Sequence, residues 1–206
     1  MSSGQLRLIG GRRLRSPAGQ STRPTTSRVR EALMNMFQAE LQGCRWLDLC
    51  SGSGVMGCEA LQHGAERVVA VENNPRTATI CRENLELVAS ADTESAQVSV
   101  IRRDLLSWLK SGRPASEPAF SIVYFDPPYA AEIYNKTLGL LHHGGWVQSE
   151  GFVICEHASK FRLEAPAPWI ERDRRRYGNS SLLILSPPEH SPGGTDSKQP
   201  RTVPEA

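Results

Sequence analysis

Before Glu31 the chain carries no acidic residue, while Arg7, Arg12, Arg13, Arg15, Arg23, Arg28 and Arg30 give that stretch seven positive charges. The whole chain has 24 basic and 22 acidic residues, so the remainder holds 17 basic against 22 acidic, a net −5. Such a split argues against a uniformly basic surface and for a basic arm, residues 1–25, that meets a polyanion. No apolar run approaches the roughly 18 residues of a bilayer-spanning helix. Residues 1–10 lack the apolar block of a secretory signal, so a cytoplasmic address is expected. The five cysteines (Cys44, Cys50, Cys58, Cys81, Cys155) stand singly, with no Cys-x-x-Cys pair. In a reducing compartment that pattern gives neither a disulfide framework nor a zinc site, and leaves small buried hydrophobes. Gly-x-Ser-x-Gly is missing, and no histidine follows in a triad-like setting, so none of the five receives a role.

What is present is an alternation of helix and strand signals. Val29, Leu33, Met36, Phe37 and Leu41 recur at helical spacing after a Thr26 or Ser27 cap, with Gly43 as the stop. Short apolar strands follow at 44–49, 67–72, 97–101, 119–125 and 151–157. Between them lie helices after a Gly-rich turn, from Pro75 to about Val88, at 105–110 and at 133–142. "WIERDRRR" and "SLLIL" read as a closing antiparallel hairpin. The alternation predicts one α/β domain over 26–186, a doubly wound and mostly parallel sheet. From Pro187 the chain is rich in Pro, Gly, Ser and charge without periodicity, which predicts a disordered tail over 187–206.

In such sheets ligands bind beyond the carboxyl ends of the strands. Strand one ends in Asp48, followed by "CSGSGVMG", whose Gly52, Gly54 and Gly57 fit G-x-G-x-x-G at the entry to a helix. Strand two ends in Glu72, placed to accept both hydroxyls of a ribose; Asp104 follows strand three, where an adenine amine or a helix cap are its two readings, and Asp126 follows strand four. A pyrophosphate at the glycine turn would meet Asp48, an anion against an anion, which disfavours a nicotinamide dinucleotide and a dehydrogenase. The acids suit S-adenosylmethionine, whose methionine end carries a sulfonium and an ammonium. The cofactor set is Asp48, Gly52, Ser53, Gly54, Glu72, Asn73, Asp104 and Leu105.

Strand four runs into "DPPY". Asp126 and the Pro127 carbonyl can each accept one N–H of an exocyclic amine, turning its lone pair out of the ring system towards a methyl group. Pro128 stiffens the turn, and Tyr129 offers a face on which a splayed-out base stacks, worth about 1–3 kcal/mol.

With "RLIGGRRL", "RPTTSRVREALMNMF", "LDLCSGSGVMGCEALQHGA" and "VYFDPPY", residues 5–186 resemble the bacterial 16S ribosomal RNA guanine-N2 methyltransferases, the RsmD family, within the Asp-Pro-Pro-Tyr amino-methyltransferases. The resemblance implies a class I methyltransferase (Rossmann-like) fold of seven strands. It also implies a guanine exposed on a small-subunit particle or assembly intermediate, no metal, and a monomer. Arg12, Arg13, Arg15, Arg23 and Thr25 are then the RNA-binding set, with Arg23-Pro24-Thr25 the segment that generic cofactor folds lack. Cys50, Ser51, Ser27 and His63 depart from the family pattern, as does the looser "RDRRRYGNSS"; none touches the acids, the glycines or the clamp. Adenine in RNA or DNA, a protein glutamine, and a non-catalytic RNA-binding role are the competing readings. Glutamine usually goes with Asn at position 126, and DNA relatives carry an extra recognition domain for which 206 residues leave little room.

Overall fold

The computed structural model describes residues 6–17, 25–92, 96–128 and 131–188. Five strands run parallel: β1 (Arg45–Leu49), β2 (Arg67–Val71), β3 (Gln97–Ile101), β4 (Phe120–Phe125) and β5 (Val147–Ala158). β6 (Ile170–Tyr177) and β7 (Ser180–Ser186) add the antiparallel pair, joined through Gly178 at φ +62°. The order is β3-β2-β1-β4-β5-β7-β6. It reverses between β1 and β4, so a crevice opens at their carboxyl ends.

Residues alternate between the two faces of each strand, and each face is buried under its own helices. Trp46, Val68, Ile122, Tyr124 and Ile154 pack under α1 (Ser27–Met36), α3 (Val55–Gln62) and α4 (Pro75–Asp92). Leu47, Val69, Val123 and Val153 pack under α5 (Leu105–Lys110) and α6 (Ala131–His143). Trp46 and Trp146 are fully buried, one in each layer; truncating either to Ala is expected to cost about 3–5 kcal/mol. Among the described residues no helix is long and apolar enough to cross a membrane.

Two elements differ from the sequence expectation. The first helix is broken at Phe37 (φ −105°, ψ 20°), after which α2 (Gln38–Leu41) follows as a separate turn. The break lays the Phe37 ring edge-on against Phe152 at 5.3 Å, a contact between elements that helical spacing alone does not reveal. Strand five starts four residues before Gly151. Its register with β4 shifts between Phe120 and Ile122, and a Cβ at Gly151 would lie 2.8 Å from the Ser121 carbonyl. Glycine there admits an irregularity in a continuous strand, whereas the sequence suggested a boundary.

The basic segment is built onto the domain. Leu8 and Leu14 are buried in the first core layer, and Leu8 N–H and Leu14 N–H bond Arg12 O and Leu6 O at 2.9 Å across a turn at Gly11. Arg30, counted by sequence among the arm's charges, is buried instead. Its guanidinium donates to Glu59 (3.0 Å), Thr25 O (2.8 Å) and Arg7 O (2.7 Å), and Glu59 also accepts from Ile9 N–H (3.1 Å). The expected tail lies outside the described residues beyond Pro188.

Candidate active site

A cleft of about 670 Å³ lies over the carboxyl ends of the parallel strands. Of the predicted residues it brings together Asp48, Gly52, Ser53, Glu72, Asn73, Asp104, Leu105, Asp126, Pro127, Pro128 and Thr25. Gly54 stands one step behind as the residue before α3, at φ +77°, where a Cβ would meet Cys81 Sγ at 2.7 Å. Both its backbone conformation and its surroundings require glycine. Gly57 packs α3 onto the sheet, its Cα facing Val68 and Leu85, and its N–H reaches Asp48 Oδ2 at 3.2 Å. Gly52, at φ +54°, faces open space, so the backbone there is bare to the cleft.

Glu72 is held rigidly. Its Oε2 accepts from Gly52 N–H (3.0 Å) and its Oε1 from Asn74 N–H (2.8 Å), leaving one lone pair on each oxygen for a ligand. The Asn74 side chain in turn caps α4 through the N–H groups of Arg76 and Thr77. Asp104 is an N-cap: Oδ1 accepts from Ser107 N–H at 2.9 Å, a bond that holds its carboxyl below the usual range. Asp104 thus caps α5 while it also lines the cleft.

The buried acids carry the unusual electrostatics. Burial pushes Asp48 up to about 7, against the pull of the Gly57 N–H. Burial, Glu156 and Asp48 together push Asp126 up to about 8. Cys50 also lines the cleft, in the left-handed region at φ 61°; burial and the surrounding acids push its thiol up to about 12, which disfavours the thiolate.

Sequence reasoning passed over Glu156. It is 5% exposed on β5, and its Oε2 accepts a hydrogen bond from the Tyr124 hydroxyl. Thr25 Oγ1 lies 3.3 Å from that hydroxyl, and the Tyr134 hydroxyl donates to Glu156 O at 2.6 Å. Like the other four, it is an acid near the carboxyl end of a parallel strand, which was the available signal. His157, next to it, lines the cleft with its Nε2 buried and without a hydrogen-bond partner among the described residues.

Of the arm, Arg13 is exposed and Arg12 half-buried. Arg15 is anchored by its backbone to Asn84 (2.9 Å) and its guanidinium pairs with Glu83 at 2.5 Å on the surface of α4. Tyr129 and Arg23 lie outside the described residues.

The sheet order, the glycine turn and the acids at the strand ends define the class I S-adenosylmethionine-dependent methyltransferase fold. The chain belongs to the RsmD family: the family model described as "Conserved hypothetical protein 95" matches residues 2–186. It is similar to ribosomal RNA small subunit methyltransferase D of Escherichia coli (strain K12), at 32% identity over 173 residues, 81% of this chain and 82% of the relative. The Haemophilus influenzae protein of the same name is 29% identical over 172 residues, 82% of this chain and 86% of the relative. Among solved structures, Escherichia coli yhhF superposes with a TM-score of 0.74 at 27% identity, covering 91% of this chain and all of that one. An RNA methyltransferase from Salinibacter ruber in complex with S-adenosylhomocysteine, at 19% identity and a TM-score of 0.61, covers 85% of this chain and all of that one, and shows likeness of fold.

Proposed function

We propose that this protein transfers a methyl group from S-adenosylmethionine to the exocyclic N2 amine of a guanine in 16S ribosomal RNA, within the small subunit or an assembly intermediate. The observation that carries the reading is the placement of Asp126-Pro127-Pro128 on the wall of the same cleft whose floor is the glycine turn and Glu72. The names of the relatives, ribosomal RNA small subunit methyltransferase D, support the RNA class.

The residues present fit the donor. Bare backbone at Gly52 leaves room for a ligand against the turn, and Glu72 offers two acceptor positions suited to a ribose diol. Ser53, Asn73, Asp104 and Leu105 complete the wall, with Asp48 turned to the cationic methionine end. When bound, the donor supplies a methyl group on a positively charged sulfur. A cation nearby favours the ionised forms of Asp48 and Asp126 and opposes the burial that raises them. Asp126, once ionised, accepts one N–H of the amine and the Pro127 carbonyl the other, so the nitrogen lone pair points along the line of transfer. Pro127 is buried, and Pro128, exposed on the wall of the cleft, faces the incoming base; the stacking role of Tyr129 rests on its place in the Asp-Pro-Pro-Tyr sequence. Arg12, Arg13, Arg15 and Arg23 meet the phosphate backbone, and Thr25 sits at the join between the basic segment and the cleft.

Nucleoside mass spectrometry of small-subunit RNA from a strain lacking the gene tests the reading. It should reveal one lost N2-methylguanosine, restored by the wild-type gene and not by Asp126→Ala. An unchanged N2-methylguanosine content would refute it.

A further inference from the structure

Phe125 and Cys155 are paired in register on the adjacent parallel strands β4 and β5. Asp126 and Glu156 follow one step on, at the roughly 4.8 Å spacing of neighbouring strands. Both line the cleft, and each lies within electrostatic reach of the other, Glu156 being one of the groups that raise Asp126. Glu156 makes no salt bridge among the described residues, in contrast to Glu59, buried in the α3 layer packed on this face of the sheet, which Arg30 neutralises; Asp48, buried on the same face, accepts instead from the Gly57 N–H. Its Oε2 is committed to the Tyr124 hydroxyl, while Oε1 receives no hydrogen bond among the described residues. An acid buried without a cation is costly to maintain. Here it is held by β4, β5, α6 and the Thr25 segment, through Tyr124, Tyr134 and Thr25. That is a preorganised acceptor beside the amine clamp.

We propose that Glu156 is a specificity residue which accepts the ring N1–H of the target guanine while Asp126 accepts from the N2 amine. The proposal rests on the guanine-N2 reading above and names how the base is chosen. Guanine is the base whose reactive amine has a ring N–H as its neighbour, so two adjacent donors face two adjacent carboxylates. In adenine and cytosine the ring nitrogen next to the amine is an acceptor, and its lone pair would face that of Glu156. A site built to accept a hydrogen rejects an analogue lacking it, because its own buried oxygen is then left unpaired. Tyr124 is the positioning residue: its hydroxyl fixes one carboxylate oxygen and so aims the other.

The test uses a small-subunit RNA fragment in which the target guanosine is replaced by 2-aminopurine riboside. That base keeps the 2-amine and carries an unprotonated N1. Wild-type protein should prefer guanine by about tenfold to a hundredfold in kcat/KM, the scale of one well-formed base contact. Glu156→Gln keeps a carbonyl for the Tyr124 hydroxyl and can turn its NH2 to the N1 lone pair. It should shrink the preference at least tenfold while leaving donor Kd and Tm near wild type. If Glu156→Gln fails to fold, Tyr124→Phe, which releases the carboxylate without removing it, should shrink the preference in the same direction. A preference unchanged in the folded variant, with guanine still methylated by wild type, overturns the role of Glu156 and leaves the N2 reading standing. Methylation of adenine in place of guanine by wild type overturns both.

Discussion

Replacing Arg30 with Ala is expected to lower the melting temperature by about 6–20 °C and to impair methylation as a secondary effect. The guanidinium is 6% exposed and its partner Glu59 is 0% exposed. Three hydrogen bonds are lost together: to Glu59, to Thr25 O and to Arg7 O. Removing one partner of a buried ion pair costs about 3–5 kcal/mol, and a domain of this size shifts by about 2–4 °C per kcal/mol. Glu59 is already pushed above its ordinary value, burial outweighing Arg30, so without Arg30 it takes up a proton and the loss is bounded rather than catastrophic. Arg30→Lys should recover less than half of the stability, since one ammonium cannot span three acceptors in a fixed fork. Thermal unfolding by circular dichroism reads the stability. Limited proteolysis reads whether the segment carrying Leu8 and Leu14 has come loose. The link to catalysis is Thr25, whose carbonyl Arg30 holds and whose hydroxyl lies against Tyr124. A shift below about 2 °C for Arg30→Ala would refute the claim that this pair fastens the basic segment to the domain.

Glu72→Ala should weaken donor binding by about 1.5–3 kcal/mol in calorimetry, through a lost charged acceptor and a loosened Gly52 turn; an unchanged Kd would remove Glu72 from the site. Asp126→Ala should lower single-turnover methylation at least about a hundredfold with little change in donor Kd, and wild-type turnover would refute the clamp. Asp48 and Asp126 titrate higher in the folded chain than the roughly 3.9 of an unfolded aspartate. The folded chain therefore binds more protons between about pH 4 and 8, and donor-free stability should fall as pH rises through that window, less steeply in Asp126→Asn; a Tm that rises from pH 6 to 8.5 would contradict the sign. Changing Arg12, Arg13 and Arg15 together to Ala should flatten the log-log salt dependence of RNA binding by roughly 1–2 units, and an undiminished slope would remove the arm from the RNA interface. For Arg15 a phosphate contact must first displace its exposed pair with Glu83, which lowers its contribution.

The strands and the acids at their ends were legible because those signals are local. Each strand signal sits next to the glycine, proline or acid that ends it, so Asp48, Glu72, Asp104 and Asp126 could be placed at strand ends from spacing alone. Glu156 escaped because it falls inside the apolar stretch "GFVICEH", with no glycine or proline after it to mark a strand end. Its importance comes from Tyr124 and Asp126 on the neighbouring strand. Arg30 escaped for the same kind of reason. It reads as one more arm charge until Glu59, 29 residues on, is brought beneath it by the packing of α1 on α3. The kink at Phe37 and the irregularity at Gly151 likewise depend on contacts made by residues far away in sequence. Pairings between elements set these features, and single-chain periodicity carries no record of them.

The most direct test of the central claim is a reconstituted reaction. Purified protein, S-adenosylmethionine labelled in its methyl group and small-subunit particles from a strain lacking the gene would be combined, and the RNA digested to nucleosides. The account predicts label in N2-methylguanosine alone, and none with Asp126→Ala. Label in N6-methyladenosine, or wild-type incorporation by Asp126→Ala, would contradict it.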